Sequence, residues 1–498
     1  MFWPPNTRPL APRLSNWPAV NLRSSSASEG WGGWAMFLKR VDLTPAQIDH
    51  LKTLTTGSVS TTESVLNQHG RDESAFPPVN PSAVVMVNTT EEVSKILAYC
   101  NENRIPVVAF GAGSSLEGHT LPIYGGVSLD LTNMNEVLEI RGEDLLVRVQ
   151  AGLTRMLLNE KLSSHGLFFS VDPGADATLG GMAATGASGT TTVRYGSMRE
   201  NVMALTAVLA DGTIIKVGRE TRKLSAGYDL ARLLVGSEGT LAVITELTLR
   251  IFGIPEKMAA AVVNFPTLAQ GVEAATTIVR MGIPIARCEF LDAKCIKNVN
   301  AHDGLTLTEA PTLLFEFHGS AATVTEDAER VIEIVAEFAG TEFQWTLEEG
   351  ARRKLWQARH NSYWAGLAAN PGLRAVSTDA AVPLSKLADA VAIADRELSA
   401  TKFPFTILGH VADGNFHCAI MTNPDDPTEL LEVQALVHKI TAQIIAMGGT
   451  CTGEHGIGAG KIEDLVLETG EGAVNVMRLI KKALDPNSIL NPGKIFTL

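Results

Sequence analysis

The stretch Thr406–Ile420, TILGHVADGNFHCAI, carries two histidines on either side of an Asp413-Gly414 pair. Asp-Gly flanked by apolar residues is the strongest short signal for a β-hairpin. With those two residues as the turn, Ala412 opposes Asn415, Val411 opposes Phe416, and His410 falls opposite His417. Cross-strand partners hold their Cβ atoms about 4.5–5.5 Å apart, so both imidazoles can reach one metal ion. The remaining ligand should be a carboxylate on a nearby turn, and Thr450–Lys461, TCTGEHGIGAGK, places Glu454 and His455 between glycines. A lone histidine near a strand is ordinarily a satisfied polar residue, and a loop such as GEHG is ordinarily an exposed turn. It is the combination that points to a divalent site, with Zn, Mn and Fe all compatible with such donors.

Glycine marks a second kind of chemistry. Val107–Thr120, VVAFGAGSSLEGHT, is an apolar run that breaks into a Gly/Ser loop. Glycine lacks the Cβ that blocks close approach and tolerates positive φ, so such a loop can offer bare backbone N–H groups to a phosphate. Gly111, Gly113 and Gly118 do not have Rossmann spacing, and no Lys-Ser/Thr follows to make a P-loop, so a plain tight turn is the alternative. Asp172–Asn201, DPGADATLGGMAATGASGTTTVRYGSMREN, is almost free of large side chains yet sits between well-patterned regions. A segment that poor in apolar bulk builds no core and is expected to wrap a ligand that supplies the missing contacts.

Val108–Thr120, Asp172–Gly196 and Ser237–Glu246 (SEGTLAVITE) together resemble the FAD-binding domain of vanillyl-alcohol-oxidase-type flavoenzymes. The resemblance implies FAD held by Gly111, Ala112, Gly113, Ser114, Ser115 and Gly118 in the first segment. From the second it adds Pro173, Gly174, Thr178, Gly180, Gly181 and Ala184, then Ser188, Gly189 and Gly196. Glu238, Gly239, Ile244 and Asn491 complete the set, and His119 is either a covalent attachment point for the flavin or, more simply, a structural histidine.

HVADGNFH and GEHGIG resemble the C-terminal half of FAD-dependent 2-hydroxyacid dehydrogenases, and with them the likeness extends from about Ile48 to Leu498. It implies a divalent metal on His410, His417 and Glu454, with His455 as catalytic base. WQARHNSYW (Trp356–Trp364) and STDAAVP (Ser377–Pro383) look most like the D-lactate dehydrogenase (cytochrome) branch. Arg359 is then expected to grip the substrate carboxylate, since its planar fork matches two oxygens. The 2-hydroxyglutarate branch carries an Asn after the hairpin and a Lys before the aspartate of the next strand, where this chain has Ala419 and Ser377. A short substrate side chain is therefore implied. The implied reaction is metal-assisted deprotonation of a small D-2-hydroxy acid with hydride transfer to flavin N5, D-lactate to pyruvate first, with cytochrome c or a quinone as electron acceptor. Glycolate or a longer hydroxy acid, an oxidase using oxygen, and a non-haem iron oxygenase built on two histidines and a carboxylate are the alternatives.

The elements that must position these residues follow from periodicity. Leu43–Gln68 looks helical, Pro77–Pro81 is a linker, and Thr89 with Glu92 forms a capping box for a helix to about Arg104. Strands are expected at Val107–Phe110, Gly126–Leu131 and Leu145–Gln150, a helix at Thr154–Ser164, and two strands around Asp211-Gly212. Beyond Pro255, strands at Ala259–Phe265, Ala286–Leu291 and Thr312–His318 alternate with helices such as Glu326–Phe338. The fold class is α+β. Residues 41–76 are read as a helical segment, 77–254 as a two-part FAD-binding domain, 255–450 as a cap or substrate domain with an antiparallel sheet, and 451–498 as a segment closing on the flavin.

Composition fits this division of 498 residues into more than one domain. A net charge of −13 argues against nucleic acid as partner and supplies no basic patch for an anionic membrane. No apolar run is long enough to span a bilayer. Five scattered cysteines read as reduced thiols. Met1–Ser28 has Arg8, Arg13 and Arg23 and no acid, as a mitochondrial transit peptide does, but five prolines would interrupt the helix such peptides form. Residues 1–40 are accordingly read as a targeting or disordered extension, with a mitochondrial location in the first case and a cytoplasmic, membrane-peripheral one in a bacterium. A homodimer is left open.

Overall fold

The computed structural model describes residues 39–497, so the extension expected over residues 1–28 lies outside the described residues. Three sheets organise the chain. In the first, strands Ala83–Met86 and Val107–Phe110 both run parallel to Val127–Asp130 between them, with Val59–Ser60 antiparallel at one edge. Helix Thr90–Glu102 covers it, burying Val93, Ile96, Leu97 and Cys100 at helical spacing. Thr89 caps this helix by accepting from the Glu92 N–H, but the Glu92 carboxylate turns to Asn88 N and Thr56 N instead of closing the box on Thr89.

Leu43–Gln68 is not one helix. It divides into Pro45–Leu54 and Glu63–His69 around the short strand, because at Gly57 the backbone approaches Met86 so closely that a Cβ would lie 2.2 Å from its carbonyl oxygen. Apolar periodicity survives such a break; a close backbone approach is invisible to it.

The second sheet is antiparallel, in the order Val137–Arg141, Leu146–Gln150, Val243–Arg250, Val202–Val208, Ile214–Gly218. The third is the largest, an eight-stranded antiparallel sheet whose centre places Phe405–Gly409 between Ile285–Leu291 and Asn415–Thr422. Helices Leu268–Arg280, Ala321–Glu337 and Leu387–Ser399 pack their buried alanine, valine and leucine faces on it, forming the largest apolar core. The C-terminal residues return to the first sheet, where Val107 N donates to Ile489 O and Asn491 N to Val107 O. All five cysteines are free and buried. No helix among the described residues is long and apolar enough to cross a membrane.

Candidate active site

The central strands of the large sheet carry the polar cluster. His417 lies on Asn415–Thr422 opposite Leu408, not opposite His410, because the turn is a 3-10 loop over Val411–Asp413 closed by Gly414 at φ 78°. The expected two-residue turn is thus too tight by one pair. Cβ direction repeats every two residues along a strand, so a shift of two leaves both histidines on the same face. Their rings meet edge to face with centroids 5.4 Å apart.

Each ring is fixed from behind. His410 Nδ1 donates to Glu289 Oε1 at 2.6 Å, and His417 Nδ1 to the Thr378 carbonyl at 3.1 Å. A carbonyl oxygen can only accept, and so can an ionised carboxylate, so both protons sit on Nδ1 and both Nε2 atoms point forward. They face one oxygen, Glu454 Oε1, at 3.3 Å and 3.2 Å. Two lone pairs directed at a carboxylate repel it unless a cation lies between them or the rings are protonated. Burial would lower the His410 pKa, but Glu289 and Glu454 together raise it well above its ordinary value. This donor set, two imidazole Nε2 atoms and a carboxylate oxygen within 4.8 Å of one another and each backed by a second hydrogen bond, fits a divalent ion.

Glu454 and His455 reach the histidines because a buried aspartate holds their loop. Asp379 Oδ2 accepts from Thr452 Oγ1 and from the backbone N–H of Glu454 and His455 at 2.7–2.8 Å, while Oδ1 takes Asn415 Nδ2. Burial works against the charge, yet His455, Lys461 and His417 hold the Asp379 carboxyl well below the carboxylate range. Ser188 donates to Glu454 Oε2 at 2.6 Å, tying the glycine-rich segment to the same residue. His455 stacks on His417 with centroids 5.0 Å apart and planes 10° from parallel. Its Nδ1 is buried without a hydrogen-bond partner among the described residues, and burial, opposed by Asp379, pushes its pKa down to about 4. A neutral imidazole with a sealed Nδ1 has Nε2 left for a substrate proton.

Arg359, on helix Glu349–His360, does line the cavity, but one edge of its fork is already taken: Nε and Nη2 both meet Glu289 Oε2, at 2.8 and 2.7 Å. Nη1 has no protein partner among the described residues.

These residues open onto one cavity of about 390 Å³, within the range of small-molecule and cofactor sites. Of the residues expected to hold FAD, all but Gly118 and Gly196 line it. Those two are turn glycines at φ 73° and 79°, where added Cβ atoms would meet Phe76 and Glu200. Along the opening loop, the backbone N–H groups of Gly111 through Leu116 have no hydrogen-bond partner among the described residues. At Gly174 and Gly239 an added Cβ would meet nothing within 4 Å. Unpaired donors and bare Cα atoms facing a cavity are what a dinucleotide's phosphates require. Glu238 and Asn491 line the cavity and also clasp it: Glu238 accepts from Ile457 N and Gly458 N, and Asn491 donates to the carbonyls of Glu238 and His119. His119 also lines the cavity, its Nε2 3.1 Å from Glu238 Oε2.

Two carboxylates of this cluster, Glu289 and Asp379, were not expected from the sequence. For Glu289 the available signal was the one acid of the strand IARCEFL, where only Arg287 is also charged, and such a group must find a partner if the strand is central.

The sheets and the cavity define a flavoenzyme fold. Superposition on 4-ethylphenol oxidase from Gulosibacter chungangensis gives a TM-score of 0.77 at 17% identity, over 92% of this chain and 99% of that one. Residues 81–218 match the FAD binding domain model, and residues 254–495 the model of the C-terminal domain of FAD linked oxidases. The chain is 45% identical over 443 residues to the probable mitochondrial D-lactate dehydrogenase of Danio rerio, spanning 88% of this chain and 89% of that protein. It is 44% identical to the mitochondrial D-lactate dehydrogenase [cytochrome] of Arabidopsis thaliana, spanning 90% of this chain and 79% of that protein. The chain belongs to the FAD-linked oxidase family of oxidoreductases, and FAD is its cofactor.

Proposed function

We propose that the protein oxidises D-lactate to pyruvate with the help of a divalent metal. The observation that carries the reading is the pair of Nε2 atoms, each fixed by its own Nδ1 bond, converging on Glu454 inside the cavity that also carries the Gly/Ser loop. His410, His417 and Glu454 would hold the ion, and the loops Gly111–Leu116 and Pro173–Gly189 would hold FAD. Bound FAD supplies the two-electron oxidant that takes hydride from C2, and a bound divalent ion lowers the pKa of a hydroxyl it touches.

The chain's own residues do the rest. Arg359 presents Nη1 to the substrate carboxylate, a charge-assisted contact that orients C2. His455 accepts the hydroxyl proton at Nε2, becoming imidazolium beside Asp379, whose negative charge stabilises it. Ser377 and Ala419 are cross-strand partners on the cavity wall and offer no cation to a second substrate carboxylate. The substrate's side chain is accordingly small.

The names of the relatives support both D-lactate and a cytochrome as acceptor, and a mitochondrial location. A panel of D-lactate, glycolate and D-2-hydroxyglutarate, with cytochrome c reduction as readout, tests the reading. D-Lactate should give the highest kcat/KM and hydroxyglutarate the lowest. Preference for the dicarboxylate, or peroxide release in place of cytochrome reduction, contradicts it.

A further inference from the structure

Glu289 is fully buried on strand Ile285–Leu291, in the middle of the large sheet. Its two oxygens serve different partners. Oε1 accepts from His410 Nδ1 at 2.6 Å, and Oε2 accepts from Arg359 Nε at 2.8 Å with Nη2 at 2.7 Å. The desolvation such a group suffers is offset only when both oxygens are well paired. Here both are.

We propose that Glu289 is a positioning residue that couples metal binding to substrate binding, one oxygen setting the tautomer of His410 and the other aiming the Arg359 guanidinium. The proposal rests on reading His410 as a ligand and Arg359 as the carboxylate grip. Its consequence is specific. In Glu289→Gln the guanidinium, which only donates, claims the amide oxygen, so the amide NH2 is left facing His410 Nδ1. That nitrogen must then accept, and the proton moves to Nε2, where it occupies the lone pair that a metal needs. A single lost charge thus weakens two sites at once. Arg359→Lys, by contrast, keeps a cation beside Glu289 Oε2 and the Glu289–His410 bond in place but loses the fork, and should disturb the substrate alone.

The test uses the full-length, flavin-loaded protein stripped of metal by a chelator. Zn²⁺ is titrated in calorimetrically, KM for D-lactate is measured at saturating Zn²⁺, and the tautomer of His410 is read from ¹⁵N-histidine spectra of the metal-free form at a pH high enough to leave the ring neutral. Glu289→Gln should bind Zn²⁺ about 10–100-fold more weakly, as losses behind metal ligands typically do. Its KM should rise and its His410 proton move to Nε2. Arg359→Lys should show the KM rise with Zn²⁺ affinity unchanged. Wild-type Zn²⁺ affinity and tautomer in Glu289→Gln overturn the proposal. If that variant does not fold with flavin, Glu289→Asp decides: it keeps the charge but is one methylene short, so weaker Zn²⁺ binding and higher KM support the coupling, and wild-type values overturn it. A wild type that takes up no Zn²⁺ removes the ligand assignment and the coupling with it. A wild type that binds Zn²⁺ but carries the His410 proton on Nε2 overturns the role of Glu289 alone.

Discussion

One part of the cavity lining is made of backbone and another of side chains. Where FAD belongs, the chain offers the N–H groups of Gly111–Leu116 and the bare Cα atoms of Gly174 and Gly239. Where we place the substrate, it offers His410, His417, Glu454 and His455, held in place by the carboxylates of Glu289 and Asp379. The two parts should fail differently. A backbone cradle survives most side-chain changes and is damaged by bulk. A side-chain cluster is damaged by any change that removes a donor, an acceptor or the group behind it.

The largest break belongs to the side-chain part. His455→Ala should slow flavin reduction by D-lactate about 10²–10⁴-fold, the usual contribution of a general base, while FAD stays bound. Anaerobic stopped-flow spectroscopy measures this, and a rate near wild type removes His455 from the mechanism. Next comes the support behind it. Asp379→Asn keeps one oxygen for the Glu454 and His455 N–H groups but loses the charge and sets an amide NH2 against Asn415 Nδ2, which only donates, so the Glu454–His455 loop should shift and kcat/KM should fall about 10–100-fold with full flavin content. An unchanged kcat/KM would mean that the loop holds its place without the aspartate.

The backbone part should show the converse. Gly174→Val adds bulk on the cavity lining, and overpacking of about 1–3 kcal/mol predicts FAD binding weaker by about 5–150-fold. Turnover per bound flavin should be preserved, which a flavin titration followed by normalised rates would establish. If turnover falls with affinity unchanged, the two parts are not separable.

The smallest effect lies outside both parts, at the N-cap of helix Ala293–Asp303, beside the strand that leads to His410. Asp292 accepts from Cys295 N and Ile407 N and is raised to about 6, burial outweighing those bonds. A carboxyl with a folded pKa above its unfolded value of about 4 stabilises the fold fully below pH about 4, and that contribution is lost as pH rises through 6. Between pH 4 and 6.5 the melting temperature of wild type should therefore fall by about a few degrees relative to Asp292→Asn. Parallel curves would show that Asp292 does not titrate in this range.

The contrast also explains what could be read in advance. Backbone chemistry is written in local composition, so the glycine segments pointed to the cavity without any knowledge of packing. Helices and strands with clean periodicity, such as Thr90–Glu102 and Thr312–Gly319, fell within a few residues of their expected bounds. His410 and His417 could be brought together because the turn signal is local, and the period of two forgave an error of one residue pair. Glu289 and Asp379 could not be found this way. Each lies far along the chain from the group it supports, so the pairing exists only in the folded sheet. Arg359 shows the same limit: its type suited a carboxylate, but the sequence held no sign that Glu289 would take one edge of its fork.

The most direct test of the account is the visible spectrum of the purified, flavin-loaded protein on anaerobic addition of D-lactate, recorded with bound metal and after chelation. Rapid bleaching of the oxidised flavin band in the metal-loaded protein, and at least about a hundredfold slower bleaching once the ion is removed, is the predicted result. Equal rates in the two samples, or no bleaching in either, would contradict it.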